Sequence, residues 1–195
     1  METYVFNIGF NKSGSTSLTI ALNILGIPTL HYDYRAQQNS MRLHCFLLKN
    51  KENNQRLFYG LDDTYRGFSD FRGERYFREL YAQYPNSKFI LTIRPLEDWL
   101  RSTEISLSDP RKNLERIRNK IRIELYNEKK YIKYYRNYKK QIRKFFKDKP
   151  DQFLELRICE GEGWPELCSF LNLDRPNVDF PRENITDKFA LNKKL

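Results

Sequence analysis

The sequence lacks long apolar runs and has few cysteines and histidines. No apolar stretch reaches 18 residues, so no membrane-spanning segment is predicted. The N-terminus shows neither the basic nor the apolar region of a signal peptide, and we therefore expect a soluble, cytoplasmic protein. The three cysteines form no C-x-x-C pair, and the two histidines are not spaced with them as zinc ligands. We expect neither a disulfide framework nor a metal site.

A single segment accounts for the strong positive charge. The chain of 195 residues is long enough for one α/β domain with its own core and too short for two. Its net charge of +10 arises at residues 111–149, which contain 16 Lys+Arg and 4 Asp+Glu. Apolar residues recur there at helical spacing, which predicts one or two amphipathic helices. An anionic partner would be attracted to this basic segment first.

Strand-like and helix-like segments alternate along the rest of the chain. "TYVFNIGF" and "KFILTIR" are apolar runs typical of strands buried in a parallel sheet. The alternation predicts an α/β fold of three layers, with a mostly parallel central sheet flanked by helices, similar to the P-loop NTPases. Weaker strands are predicted at 28–32, 56–63, 67–71 and 152–158, and helices at 15–25, 35–50, 73–84, 95–102 and 163–173.

The segment "GFNKSGST" at residues 9–16 connects the first predicted strand to the first predicted helix. Its glycines nearly match the phosphate loop G-x-x-x-x-G-K-[ST], but Lys12 lies inside the loop and Ser15 occupies the usual lysine position. Gly9 and Gly14 permit a backbone whose amides point at an anion, and the following helix adds its positive end. A β-to-α turn with helix-capping hydroxyls has the same letters, so the loop alone leaves both interpretations open.

The second strong strand distinguishes this site from an ordinary triphosphatase. A carboxylate that holds Mg²⁺ is expected at the end of such a strand, whereas "KFILTIR" ends in Arg94. Ser102 follows eight residues later, a little over two helical turns along the predicted helix. The pattern predicts a nucleotide with two separate phosphate-type groups and no Mg²⁺.

Together these segments resemble the sulfotransferases that use 3′-phosphoadenosine 5′-phosphosulfate (PAPS). The family's 5′-phosphosulfate loop is K-[ST]-G-[ST]-[ST], here "KSGSTSL", and its 3′-phosphate element is an arginine followed eight residues on by a serine, here "RPLEDWLRS". "GWPELCSFL" and "FPREN" resemble the C-terminal region of the family. The resemblance departs at Ser17, where several relatives have a tryptophan, and no C-terminal R-K-G motif is visible.

The resemblance implies a role for each matching residue. Lys12 would stabilise the charge that develops as the sulfuryl group leaves, and is therefore a catalytic candidate. Arg94 and Ser102 would hold the 3′-phosphate. The 5′-phosphosulfate would be held by Lys12, Ser13, Gly14, Ser15, Thr16 and Ser17.

A general base is also expected, because the acceptor hydroxyl must lose its proton. Relatives carry a histidine or a carboxylate at a strand end between the two nucleotide elements, and Asp70 in "GFSDF" is our catalytic candidate. The sequence is equally consistent with Asp70 as an aspartate that caps a turn or a helix. Asp62, Asp63 and His31 are the alternatives.

The function implied is PAPS-dependent sulfuryl transfer (EC 2.8.2 type) to a small-molecule or glycan acceptor, with no metal. One alternative is an atypical P-loop kinase, although the G-K-[ST] lysine is absent. Another is a nucleic-acid-binding protein, because tyrosines interleave with lysines in the basic segment. An amphipathic helix with a solvated Lys/Arg face explains that segment equally simply.

Overall fold

Five strands form one parallel sheet in the computed structural model, which describes residues 3–31, 40–108 and 126–183. In space the strands run in the order β2-β3-β1-β4-β5, and every neighbouring pair is parallel. Their carboxyl ends therefore share one edge of the sheet, where α/β proteins bind ligands. The strands are β1 Val5–Asn7, β2 Thr29–His31, β3 Gly67–Ser69, β4 Lys88–Thr92 and β5 Phe153–Leu156.

Helices alternate with these strands, and the predicted α/β class is confirmed. Short 3₁₀ turns flank β5, at Pro150–Gln152 and Ile158–Glu160. Within the described residues no helix combines the length and the apolar character needed to cross a membrane. The α-helices are α1 Ser15–Ile24, α2 Ser40–Glu52, α3 Gly73–Gln83, α4 Leu96–Ser108, α5 Glu128–Phe146 and α6 Trp164–Leu171.

The sheet separates two apolar cores, because successive side chains of a strand point to opposite faces. On β4, Phe89 and Leu91 pack with residues of α3, α4 and α5, whereas Ile90 packs with residues of α1 and α6. The sheet therefore lies between two helical layers, as predicted. The strands are buried on both faces, which explains why their sequences are continuously apolar.

The basic segment supplies α5, whose apolar side completes the first core. Tyr135, Tyr138 and Ile142 are buried at successive turns, and the lysines fall mostly on the opposite side. The side chain of Asn127 caps the helix by accepting the backbone N–H of Lys130 at 3.0 Å. The amphipathic helix predicted here is confirmed for α5, and residues 111–125 of the segment lie outside the described ranges.

One predicted strand is wrong. Within residues 56–63, "RLFYGLDD", consecutive turns run from Leu57 onward. Leu57 and Phe58 are fully buried there, while the side-chain amide of Asn50 donates to the carbonyls of Leu57 and Tyr59, both at 3.0 Å. An apolar run can thus fill the core from a turn when a side chain satisfies its backbone. The helix predicted at 35–50 is described from Ser40 onward, and 35–39 lie outside the described ranges.

Candidate active site at the carboxyl edge of the sheet

The loop between β1 and α1 is packed tightly against β4. A Cβ atom on Gly9 would lie 2.1 Å from Oγ1 of Thr92 and 2.7 Å from its carbonyl oxygen, so only glycine fits there. Gly14 has a φ of 101° and immediately precedes α1. That left-handed conformation favours glycine. The two glycines thus allow the chain to turn sharply at the edge of the sheet.

The carbonyl groups of the loop are held by groups of α4 and of the segment before it. Nε1 of Trp99 donates to the carbonyl of Asn11 at 2.9 Å, and Nη1 of Arg94 donates to that of Lys12 at 3.3 Å. Because a trans peptide is planar, the N–H groups of Lys12 and Ser13 point the opposite way. The first turn of α1 adds N–H groups that have no acceptor within the helix. This arrangement of donors suits a bound anion.

A buried asparagine connects the loop to both neighbouring strands. Oδ1 of Asn7 accepts the N–H of Gly9 at 3.0 Å and the hydroxyl of Thr92 at 3.2 Å. Its Nδ2 donates to Oγ of Ser69 at 3.0 Å. Asn7 was not predicted as a positioning residue, although a lone polar side chain within an apolar strand is a visible signal. The network fixes the loop relative to β3 and β4.

Two of the predicted loop hydroxyls are engaged inside the protein. Oγ of Ser13 is hydrogen-bonded to the carbonyl of Phe10 and lies 2.7 Å from Oγ1 of Thr92. Oγ of Ser17 accepts the N–H of Glu183 at 2.9 Å. Both serines are buried. An anion on the loop would therefore meet their backbone rather than their side chains, whereas the side chain of Lys12 is exposed.

Arg94 lies two residues beyond the end of β4 and adjoins the loop through Lys12. Its own carbonyl accepts the hydroxyl of Tyr135, a residue of α5, at 2.5 Å. Ser102 is buried on α4, three residues after Trp99 and so on the same side of the helix as the tryptophan that contacts the loop. The structure thus brings Arg94 to the loop, and Ser102 lies on the side of α4 that contains Trp99.

The candidate base lies on the other side of the loop. Asp70 follows β3 and His31 ends β2, and Nε2 of His31 is 4.0 Å from Oδ2 of Asp70. Both side chains are largely buried: that of His31 is 19% exposed and that of Asp70 is 14% exposed. Asp70 has a φ of 60°, a left-handed conformation that aspartate tolerates better than most residues. The two groups therefore form a pair at the carboxyl edge.

The other carboxylates considered from the sequence lie elsewhere. The backbone carbonyl of Asp62 accepts the hydroxyl of Tyr4, which precedes β1 at the opposite edge of the sheet. Its carboxylate is buried and bonds to Arg56 at 2.8 Å and to Tyr84 at 3.0 Å. Asp62 is therefore part of the core, and Asp63 is exposed beside it. Of these candidates, Asp70 and His31 are the ones at the carboxyl edge.

The donor set at this edge consists of amides, hydroxyls and cations, and it suits phosphate or sulfate groups better than a metal ion. In residues 3–31, 40–108 and 126–183, no three His, Cys, Asp or Glu side chains converge as metal ligands. Fold and site together define an α/β protein whose loop after the first strand has donors suited to an anion.

The family follows from comparison with known proteins. The sequence model of the sulfotransferase domain family matches residues 4–189, so this chain belongs to that family. It is also 24% identical over 221 aligned residues to "Ava biosynthesis cluster protein M" of Aspergillus versicolor, an alignment that covers 91% of this chain and 79% of that protein. The resemblance drawn from the loop and from "RPLEDWLRS" is confirmed at the level of the family.

Proposed function

We propose that this protein transfers the sulfuryl group of PAPS to an acceptor hydroxyl. The observation that carries the proposal is the contact between Arg94 and the carbonyl of Lys12. It joins two anion-binding elements, one after β1 and one after β4, at a single edge of the sheet. A nucleotide with phosphate groups at both its 5′ and 3′ ends can reach both elements, with Arg94 and Ser102 at the 3′-phosphate.

The 5′-phosphosulfate belongs on the loop in this proposal. The backbone N–H groups of residues 12–17 would surround its oxygens, supported by the positive end of the α1 dipole. Lys12 is the exposed cation of the loop, and its ammonium group would contact the bridging and sulfuryl oxygens. The residues proposed to hold this group are Lys12, Ser13, Gly14, Ser15, Thr16 and Ser17.

The transfer is a balanced in-line displacement. The acceptor oxygen forms a bond to sulfur while the bond between sulfur and the bridging phosphate oxygen breaks. The leaving nucleotide, 3′-phosphoadenosine 5′-phosphate (PAP), takes that electron pair. Lys12 stabilises the negative charge that develops on the bridging oxygen, a task that Mg²⁺ performs in phosphoryl transfer.

The proton of the acceptor hydroxyl is taken up by Asp70 in this proposal. His31, 4.0 Å away, is positioned to stabilise the carboxylate or to receive the proton in its place. Both residues lie on the β2–β3 side of the loop, so the acceptor would approach from that side. A sulfur atom on the loop would then stand between the acceptor and the leaving nucleotide, as in-line transfer requires.

The acceptor is a small molecule or a glycan in this proposal. The name of the Aspergillus relative refers to a biosynthesis cluster, which favours a small-molecule hydroxyl. Transfer of labelled sulfate from PAPS to a panel of phenols, steroids, oligosaccharides and tyrosyl peptides identifies the class. If the protein binds PAPS but labels no compound of the panel, activity on these classes of hydroxyl is contradicted.

Nucleotide binding tests the donor assignment directly. We expect PAP to raise the melting temperature much more than AMP does at equal concentration, because only PAP has a phosphate for Arg94. The shift should be unchanged by EDTA. A ligand at 100 times its Kd stabilises the folded state by about 2.7 kcal/mol, which is readily measured by thermal unfolding. Equal shifts with PAP and AMP would contradict the proposal.

The variant Asp70→Asn separates binding from chemistry. We expect turnover to fall by about 10²–10⁴-fold, the usual contribution of a general base, with PAP affinity nearly unchanged. The measurements are kcat with saturating PAPS and the Kd of PAP by calorimetry. Asp63→Asn is the matched control, because Asp63 is exposed away from the site. Full turnover by Asp70→Asn would rule out Asp70 as the base and direct the same test to His31.

A further inference from the structure

A basic groove of about 660 Å³ opens beside Arg94, between the segment after β4, α5 and the turn after β5. Among the described residues that line the groove, Glu160 is the only acidic one. The cationic side chains that line it are Arg94, Arg136, Lys139, Lys140, Arg143 and Arg157.

Neighbouring carboxylates already neutralise part of this charge. Arg143 makes a two-pronged contact with Glu155, at 2.5 and 2.8 Å, and Arg157 contacts Glu162 at 3.2 Å. In the described part of the chain, Lys139 forms no ion pair. Its charge is therefore available to an anion that enters the groove.

Lys139 is held where a positive charge is disfavoured until such an anion arrives. It is half-buried, and its Nζ lies 5.2 Å from the centre of the Tyr135 ring. Burial and then the nearby charge of Arg143 lower the pKa of Lys139, against the opposing effect of Glu155 and Glu160. A phosphate group would offset both unfavourable effects, because it supplies the missing counter-charge.

The order of the strands indicates whether this groove lies on the acceptor side or on the nucleotide side of the loop. His31 and Asp70 follow β2 and β3, the loop follows β1, and the groove lies at the ends of β4 and β5. The loop thus stands between the base and the groove. If the acceptor meets the sulfuryl group from the base side, the rest of the nucleotide must extend toward the groove.

We infer that Lys139 is a specificity-determining residue that joins Arg94 in holding the 3′-phosphate of the donor nucleotide. This inference rests on the proposed function. It assigns the α5 part of the basic segment to the nucleotide, whereas the charge of that segment considered alone would favour an anionic acceptor or a nucleic acid. The buried side of α5 also fixes the lysine, because Tyr135 and Tyr138 anchor the helix in the core.

The test compares Lys139→Met with Lys133→Met. Methionine keeps the apolar stem of the lysine and removes only the charge, and Lys133 is exposed on the same helix outside the groove lining. Calorimetry at one fixed ionic strength gives the Kd of PAP and of AMP. We expect Lys139→Met to weaken PAP binding about 10- to 100-fold, the effect of one lost charge-assisted hydrogen bond, and to leave AMP binding unchanged. For Lys133→Met, the Kd of each nucleotide should stay within about twofold of the unmodified protein's value. Lys139→Arg should retain most of the preference for PAP over AMP.

The outcomes separate this inference from the proposed function. If the unmodified protein binds PAP and AMP equally, the proposed function fails. If it prefers PAP and Lys139→Met keeps the full preference, only the assignment of Lys139 fails. Unchanged PAP affinity with a raised KM for an anionic acceptor would make the groove an acceptor site and overturn the inference.

Discussion

Replacing Lys12 by methionine is expected to lower turnover with PAPS by about 10²–10³-fold, the loss seen when one donor to a developing oxyanion is removed. The charge on the bridging oxygen is greatest in the transition state, so the ammonium group should contribute more to kcat than to binding. The side chain is exposed, and the loop is held by backbone contacts to Trp99 and Arg94 that the variant retains. We therefore expect the melting temperature without ligand to change little.

The measurement is kcat at saturating PAPS, together with the Kd of PAP. Lys133→Met is the matched control, because it removes an exposed lysine of α5 outside the site. Lys12→Arg keeps the charge with a different geometry and should recover part of the turnover. A Lys12→Met variant that loses PAP affinity and turnover by the same factor would show that Lys12 acts in binding, contrary to the proposed role.

The turn at the loop was predicted from its two glycines. The positive φ that requires glycine at position 14 is a local constraint. The close approach to Thr92 that requires glycine at position 9 involves β4 and is seen only in the folded sheet. The strand before Arg94 was also predictable, since an apolar run bounded by a cation and Pro95 has few other interpretations. The contact between Arg94 and Lys12 followed from the parallel sheet, in which strand ends meet at one edge.

The direction in which each serine points could not be predicted. Ser13 and Ser15 are equivalent donors in the sequence, yet the hydroxyl of Ser13 faces Thr92 inside the loop. Its orientation depends on β4, which lies about eighty residues later in the chain. Ser17 likewise meets the backbone of Glu183 at the other end of the chain. Such long-range partners leave no pattern in a local window of sequence.

The position of the basic helix α5 could not be predicted either. The helical spacing of its apolar residues predicted an amphipathic helix, and the buried tyrosines of α5 confirm that. That spacing does not indicate on which side of the loop the helix packs, because this depends on the spatial order β2-β3-β1-β4-β5. The same order brought His31 and Asp70 together, although they lie on different predicted strands.

Replacing Arg94 by alanine is expected to weaken PAP binding by at least about 100-fold, because a guanidinium can form two charge-assisted hydrogen bonds to one phosphate. AMP has no 3′-phosphate, so its affinity should fall only slightly, through the lost contact to the carbonyl of Lys12. The bond from Tyr135 reaches the backbone of residue 94 and survives the substitution. Arg101→Ala, at an exposed position of α4, is the control.

Comparing PAP with AMP shows whether Arg94 binds the 3′-phosphate or only holds the loop in place. If Arg94 acts mainly by holding the carbonyl of Lys12, PAP and AMP lose affinity by the same factor, and the 3′-phosphate assignment is wrong. If it contacts the 3′-phosphate, the preference for PAP over AMP collapses while AMP binding persists. Arg94→Lys should fall between these limits, since an ammonium group keeps the charge and lacks the planar fork. Melting temperatures without ligand, measured for each variant, show whether the loop itself remains folded, and calorimetry at one salt concentration supplies the affinities.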